Sequence, residues 1–185
     1  MGTAIAFAAK TSLEAGNAME ASFLSARAGD RDGAGDMAKE ATSKALLAKK
    51  ALSAALHGQS AGDTLAARAA LGHVEDARLF AKAAMDVYRS TVRRAADKQG
   101  GEAAKKAAET MAFLMAAASA LLDVKRGTAS DTSLRKAALA AERAGQAADD
   151  AAKSGGPHGE DAQAAKATAG EIARRALWAV REAAK

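Results

Sequence analysis

Three histidines and one acidic loop are the residues of this 185-residue chain whose types could do chemistry. His57 and His158 lie in glycine-rich breaks, and His73 lies on the flank of an apolar stripe. A di-iron helical bundle needs a glutamate three residues before a histidine on two helices. Here those positions hold Ala54, Ala70 and Gly155. His73-Val74-Glu75 and His158-Gly159-Glu160 match the H-x-E fragment of zinc deaminases, but the chain has no cysteine to complete that site. All three histidines therefore read as structural or exposed. Asp30, Asp32, Gly35 and Asp36 resemble part of a calcium loop, with acids at positions one and three and glycine at six. Position five is then Ala34, and position twelve is Ala41, where a bidentate glutamate is required; Glu40 is one residue out of register. A polar turn is the simpler reading.

Nucleophile and phosphate motifs are missing. There is no cysteine, no G-x-S-x-G and no G-x-x-x-x-G-K-[ST]. Gly33, Gly35 and the Gly100-Gly101 pair lack the preceding strand that a phosphate loop needs. The expectation is a protein that is not an enzyme, with no catalytic residue, no cofactor and no metal site. The net charge of +5 is spread over doublets such as Lys49-Lys50, Arg93-Arg94, Lys105-Lys106 and Arg174-Arg175. Nucleic-acid binders carry denser basic stripes or aromatics for stacking, so no nucleic-acid partner is expected. An apolar face made of alanine also binds lipid weakly, while it packs well against another helix.

The elements that must position these residues are helices. About three residues in ten are alanine, proline occurs once, and valine and isoleucine are too sparse for a sheet. Small residues recur at alternating steps of three and four. The longest such row is Ala67, Ala70, Val74, Ala77, Ala81, Ala84, Tyr88, Thr91 and Ala95. Leu134, Ala138, Ala141, Gly145, Ala148 and Ala152 form another, and Ala162, Ala165, Ala169, Ile172, Ala176, Ala179 and Ala183 a third. Seams of this kind let helix backbones approach closely.

Glycine divides the chain into six helical stretches, expected over about 3–28, 37–57, 64–97, 102–125, 133–153 and 161–185. GDRDGAGD (29–36), HGQSAGD (57–63), RGTASDTS (126–133) and KSGGPHGED (153–161) are the expected breaks, with Ser60 or Asp63 and Asp131 or Thr132 as caps. The run Met111–Leu122 suits a helix at the bundle centre, and the polar fifth stretch suits the periphery. The fold class expected is all-α: one domain over 1–185, an elongated antiparallel bundle of three to four main helices plus shorter ones.

Stretches such as AAKKAAETMAF, ALAAERAGQAADDAAKSG and ARRALWAVREAAK resemble the alanine-rich helical surface proteins of African trypanosomes. The likeness is one of composition and layout along the whole chain. It implies a non-catalytic coat or antigen ectodomain, anchored by glycosylphosphatidylinositol, whose partners are neighbouring coat molecules or host ligands. Glutamate is less abundant than in that pattern, and neither a signal peptide nor an anchor signal is visible; both are expected to have been removed from a mature ectodomain. No segment offers ~20 uninterrupted apolar residues for a membrane span. The alternative is a cytoplasmic helical binding or scaffold protein of a GC-rich bacterium, similar to granule-associated phasins. On either reading the glycine-rich breaks are the expected interaction surface.

Overall fold

In a computed structural model, the structure describes residues 2–57, 64–97, 101–153 and 155–183. Six helices account for nearly all of them: α1 (Gly2–Ala28), α2 (Arg31–His57), α3 (Thr64–Ala96), α4 (Gly101–Arg126), α5 (Asp131–Lys153) and α6 (Gly156–Ala183). The protein is all-helical. Its helices run from 23 to 33 residues, so the expected division into main helices and short additions is replaced by six of similar rank.

Contacts sort the helices into two triplets. Each of α1, α2 and α3 packs on the other two, and so does each of α4, α5 and α6. The triplets join through α3 against α6 and α4, and α1 against α4. Neighbours are antiparallel where side chains fix the register. Ser22 Oγ donates to Ala34 O and Lys44 pairs with Glu14, which sets α2 against α1. Gln163 and Lys166 reach Asp149, which sets α6 against α5. As the sequence implied, α5 is peripheral and touches only α4 and α6. Similarly, α4 is central: Met111, Leu114, Leu121 and Leu122 are fully buried. Among the described residues α4 is the one helix long and apolar enough to cross a membrane, and 56% of its most apolar window is packed inside the protein.

The expected rows of α3 and α6 reach the core at Ala77, Ala84, Ala165, Ala169, Ile172 and Ala176, beside Met19 and Phe23 of α1, whereas Ala95 at the end of the α3 row is exposed. Gly16 marks the tightest crossing. A Cβ there would fall 2.5 Å from Leu122 Cδ1 and 3.1 Å from the Phe80 ring, so the missing side chain lets α1 meet α3 and α4 at one point.

Four expectations are corrected. First, α5 buries Leu134, Ala137, Ala140, Ala144, Ala147, Ala148 and Ala151, a seam turned by about one residue from the expected row; Ala138 and Ala152 are exposed. Second, GDRDGAGD is no eight-residue loop. The break is the pair Gly29-Asp30: Gly29 takes φ 79°, and Asp30 N donates to Ser25 O at 2.9 Å, closing α1. Helix α2 then starts at Arg31, six residues before the expected Met37, and carries Gly33 and Gly35 within it. Gly35 is there for packing, since a Cβ would meet the Tyr88 ring at 2.8 Å. Third, α6 begins at Gly156, not Asp161, with Pro157 in its first turn, where a missing N–H costs nothing. Fourth, the cap of α5 is Ser130, whose Oγ accepts from Ser133 N at 3.2 Å, ahead of the expected Asp131 or Thr132. The proposed caps Ser60 and Asp63 lie outside the described residues.

Candidate functional site

The site is the polar seam where α3 of one triplet runs against α6 of the other. One turn of α3 places His73 and Asp76 on the same side, and Asp76 is completely buried. Its Oδ1 accepts from Arg175 Nε of α6 at 2.5 Å, and its Oδ2 accepts from Arg175 Nη2 at 3.2 Å. Lys125 of α4 approaches the same Oδ2 at 2.8 Å. The Lys125 ammonium also lies 2.6 Å from His73 Nδ1. An ammonium has only protons to give, so Nδ1 must accept, which places the imidazole proton on Nε2. Burial holds His73 below the ordinary histidine range, and the Lys125 charge pushes it the same way; Asp76 works against both.

One carboxylate therefore serves two cations and, through Lys125, orders a neutral imidazole. Two further residues make room for it. A Cβ on Gly72 would fall 2.7 Å from Arg175 Nη2, so glycine opens the path by which Arg175 crosses from α6 to α3. The Trp178 ring covers the guanidinium with its centroid 4.3 Å from Cζ.

The seam continues along the two helices. Glu171 accepts from Arg78 at 2.6 Å and from Lys82 at 3.0 Å, while Arg78 also grips Glu75 through two nitrogens. Partial burial pushes the Glu171 carboxyl up, but its bonds to Arg78 and Lys82 outweigh that and hold it below the usual range. Further on, buried Asp86 meets Thr168 Oγ1 at 2.6 Å. That hydroxyl also lies 3.0 Å from Ala164 O and has a single proton to give. The Asp86 carboxylate and Ala164 O therefore share that one proton as acceptors. Burial pushes the Asp86 carboxyl up, against the Thr168 bond, Lys82 and Arg89. At the far end Arg93 Nε stands 3.1 Å from Asp161 Oδ2, near enough for an ion pair but out of line for a hydrogen bond. His158 Nε2 bonds Asp97 Oδ2 at 2.9 Å.

The residues singled out in the sequence fall as follows. His73 belongs to the buried cluster, and His158 is buried in the α3–α6 seam. The side chain of His57 is outside the described residues. Asp30 Oδ1 accepts from Gly33 N at 2.9 Å and so caps α2. Asp32 and Asp36 are exposed on the helix that follows, the latter bonded to Lys39. A helix start, and not a calcium loop, explains the acidic cluster. Beside this turn a groove of about 500 Å³ is lined by Asp30, Arg31, Asp32, Tyr88 and Val92.

Asp76, Lys125 and Arg175 were missed by sequence reasoning because they look like any charges on mixed helix faces. The one available signal was position: Asp76 and Arg175 stand immediately before the seam residues Ala77 and Ala176. The chain matches no family model, no curated protein and no solved structure.

Proposed function

We propose that this chain is a non-catalytic, rod-like helical ectodomain of the coat or antigen type, standing off a cell surface and meeting neighbours or host ligands at its helix connections. The observation that carries this reading is how the buried charge is used. Asp76 is saturated by Arg175 and Lys125, and Glu171 by Arg78 and Lys82, so these groups clamp helix to helix. Charges bound to each other in this way hold a scaffold rigid. Connections as short as Gly29-Asp30 present little chain to proteases, which a coat needs.

The turn at Gly29-Asp30 and the one between α5 and α6 sit at the same end. α1 and α3 share a triplet, and α6 runs antiparallel to α3 from Asp76–Arg175 to Asp97–His158. That end would face outward, with the Asp30–Tyr88 groove among its contact features.

The test is staining of intact against permeabilised cells that express the full gene, with release by a phosphatidylinositol-specific phospholipase. Signal on intact cells that the lipase frees supports the reading. Staining only after permeabilisation overturns it in favour of an intracellular scaffold, a reading favoured by the exposure of Leu46 and Leu47 on α2.

A further inference from the structure

We propose that the outer face of α2, at the end opposite the Gly29-Asp30 turn, docks on a membrane surface carrying anionic lipid headgroups. Leu46, Lys49, Lys50 and Leu56 recur at helical spacing on one strip of α2. Leu46 is 52% exposed and Leu56 47%. Helix α2 packs only on α1 and α3, so among the described residues nothing else covers this strip.

The register set by Glu14–Lys44 brings the first turns of α1 alongside, and Phe7 there is 45% exposed. Its exposure has a cause in the fold. Helix α4 ends at Arg126, whose Nη2 bonds Asn17 and Glu20, so α1 extends about 22 Å further at 1.5 Å per residue from Asn17 back to Gly2.

Charge selects the occupant. Residues 1–14 and 41–74 hold five cations, Lys10, Lys44, Lys49, Lys50 and Arg68, against Glu14 and Asp63. These 48 residues thus carry three of the net five positive charges, and the other 137 carry two. Glu14 is engaged with Lys44, whereas Lys49, Lys50 and Arg68 have no carboxylate partner among the described residues. Leucine and phenylalanine flanked by unpaired lysines is the chemistry of an interfacial helix: apolar tips enter the headgroup boundary while lysine stems lie flat and hold their ammonium groups at the phosphates. The inference is independent of the coat reading, since it rests on the exposed face of α2 and its unpaired lysines and not on where the helix connections face.

Sedimentation of the full chain with phosphatidylcholine vesicles, with and without phosphatidylserine, tests it. Binding is expected only with phosphatidylserine and should fall as salt rises. The Lys49→Glu, Lys50→Glu double variant should bind at least about thirty-fold more weakly, because each lysine near an anionic surface is worth about fivefold. Leu46→Ser should weaken binding without changing the salt dependence. Both changes are at exposed positions, and an unaltered far-UV circular dichroism spectrum verifies that the fold is kept. Absence of sedimentation with phosphatidylserine overturns the proposal, as does equal binding by the double variant. Retardation of DNA at the same salt without vesicle binding also overturns it and assigns the cations to nucleic acid.

Discussion

Asp76 and Arg175, ninety-nine residues apart, are joined by two hydrogen bonds at a point from which water is excluded. Losing the carboxylate would leave Arg175 and Lys125 as largely covered cations facing each other. Removing one partner of a buried ion pair costs about 3–5 kcal/mol. Asp76→Ala is expected to destabilise the protein by that amount in urea unfolding. Combining it with Lys125→Met and Arg175→Met should recover most of the loss, because apolar replacement of a whole buried cluster is close to neutral.

His73 makes stability depend on pH in mild acid. Its folded value is depressed, so the unfolded chain takes up a proton first as pH falls through the ordinary histidine range. Stability conferred by the neutral ring is therefore complete above that range and is lost as pH drops through the folded value. His73→Gln keeps an acceptor for Lys125 and cannot titrate. Urea midpoints measured between about pH 8 and about pH 5 should fall less in this variant than in the parent chain.

Asp86 has the opposite sign. Its raised value means the folded state keeps a proton that the unfolded chain has already released, so stability falls as pH rises from the ordinary aspartate value through the raised one. Asp86→Asn preserves the shape, still accepts from Thr168 through its amide oxygen, and carries no charge to desolvate at any pH. It is expected to stabilise the protein at neutral pH by on the order of 1 kcal/mol, with no gain in acid, as read by thermal unfolding at both pH values.

The rotation of α5 can be checked by two bulky substitutions. Ala144 is fully buried and Ala138 is exposed. Ala144→Leu should cost about 1–3 kcal/mol by overpacking, and Ala138→Leu should be nearly neutral. The reverse order would restore the row Leu134, Ala138, Ala141, Gly145.

Why the sequence misplaced that row is instructive. Ala137-Ala138, Ala140-Ala141, Ala147-Ala148 and Ala151-Ala152 are doublets, so two neighbouring rows are equally small and periodicity favours neither. Only the partner helices choose between them. Where a larger residue breaks the tie, as Ile172 does in α6, the core face was legible from spacing alone. The glycines of α2 misled for a related reason: their helix cost is about 1 kcal/mol each, and close packing on Tyr88 at Gly35 outweighs it. The ionic seam was the least legible part, because its members come from three helices and a charge destined for burial has no distinguishing mark in the chain.

The partition of contacts also sets which parts of the molecule are free to change. Helix α2 answers only to α1 and α3, and α5 only to α4 and α6, while the clamp that joins the triplets lies on other helices. Substitutions on the outward arcs of α2 and α5 leave that clamp intact. The arc of α5, which carries no part of the proposed binding face, is where this architecture gives selection room to diversify a surface while the frame beneath it stays constant.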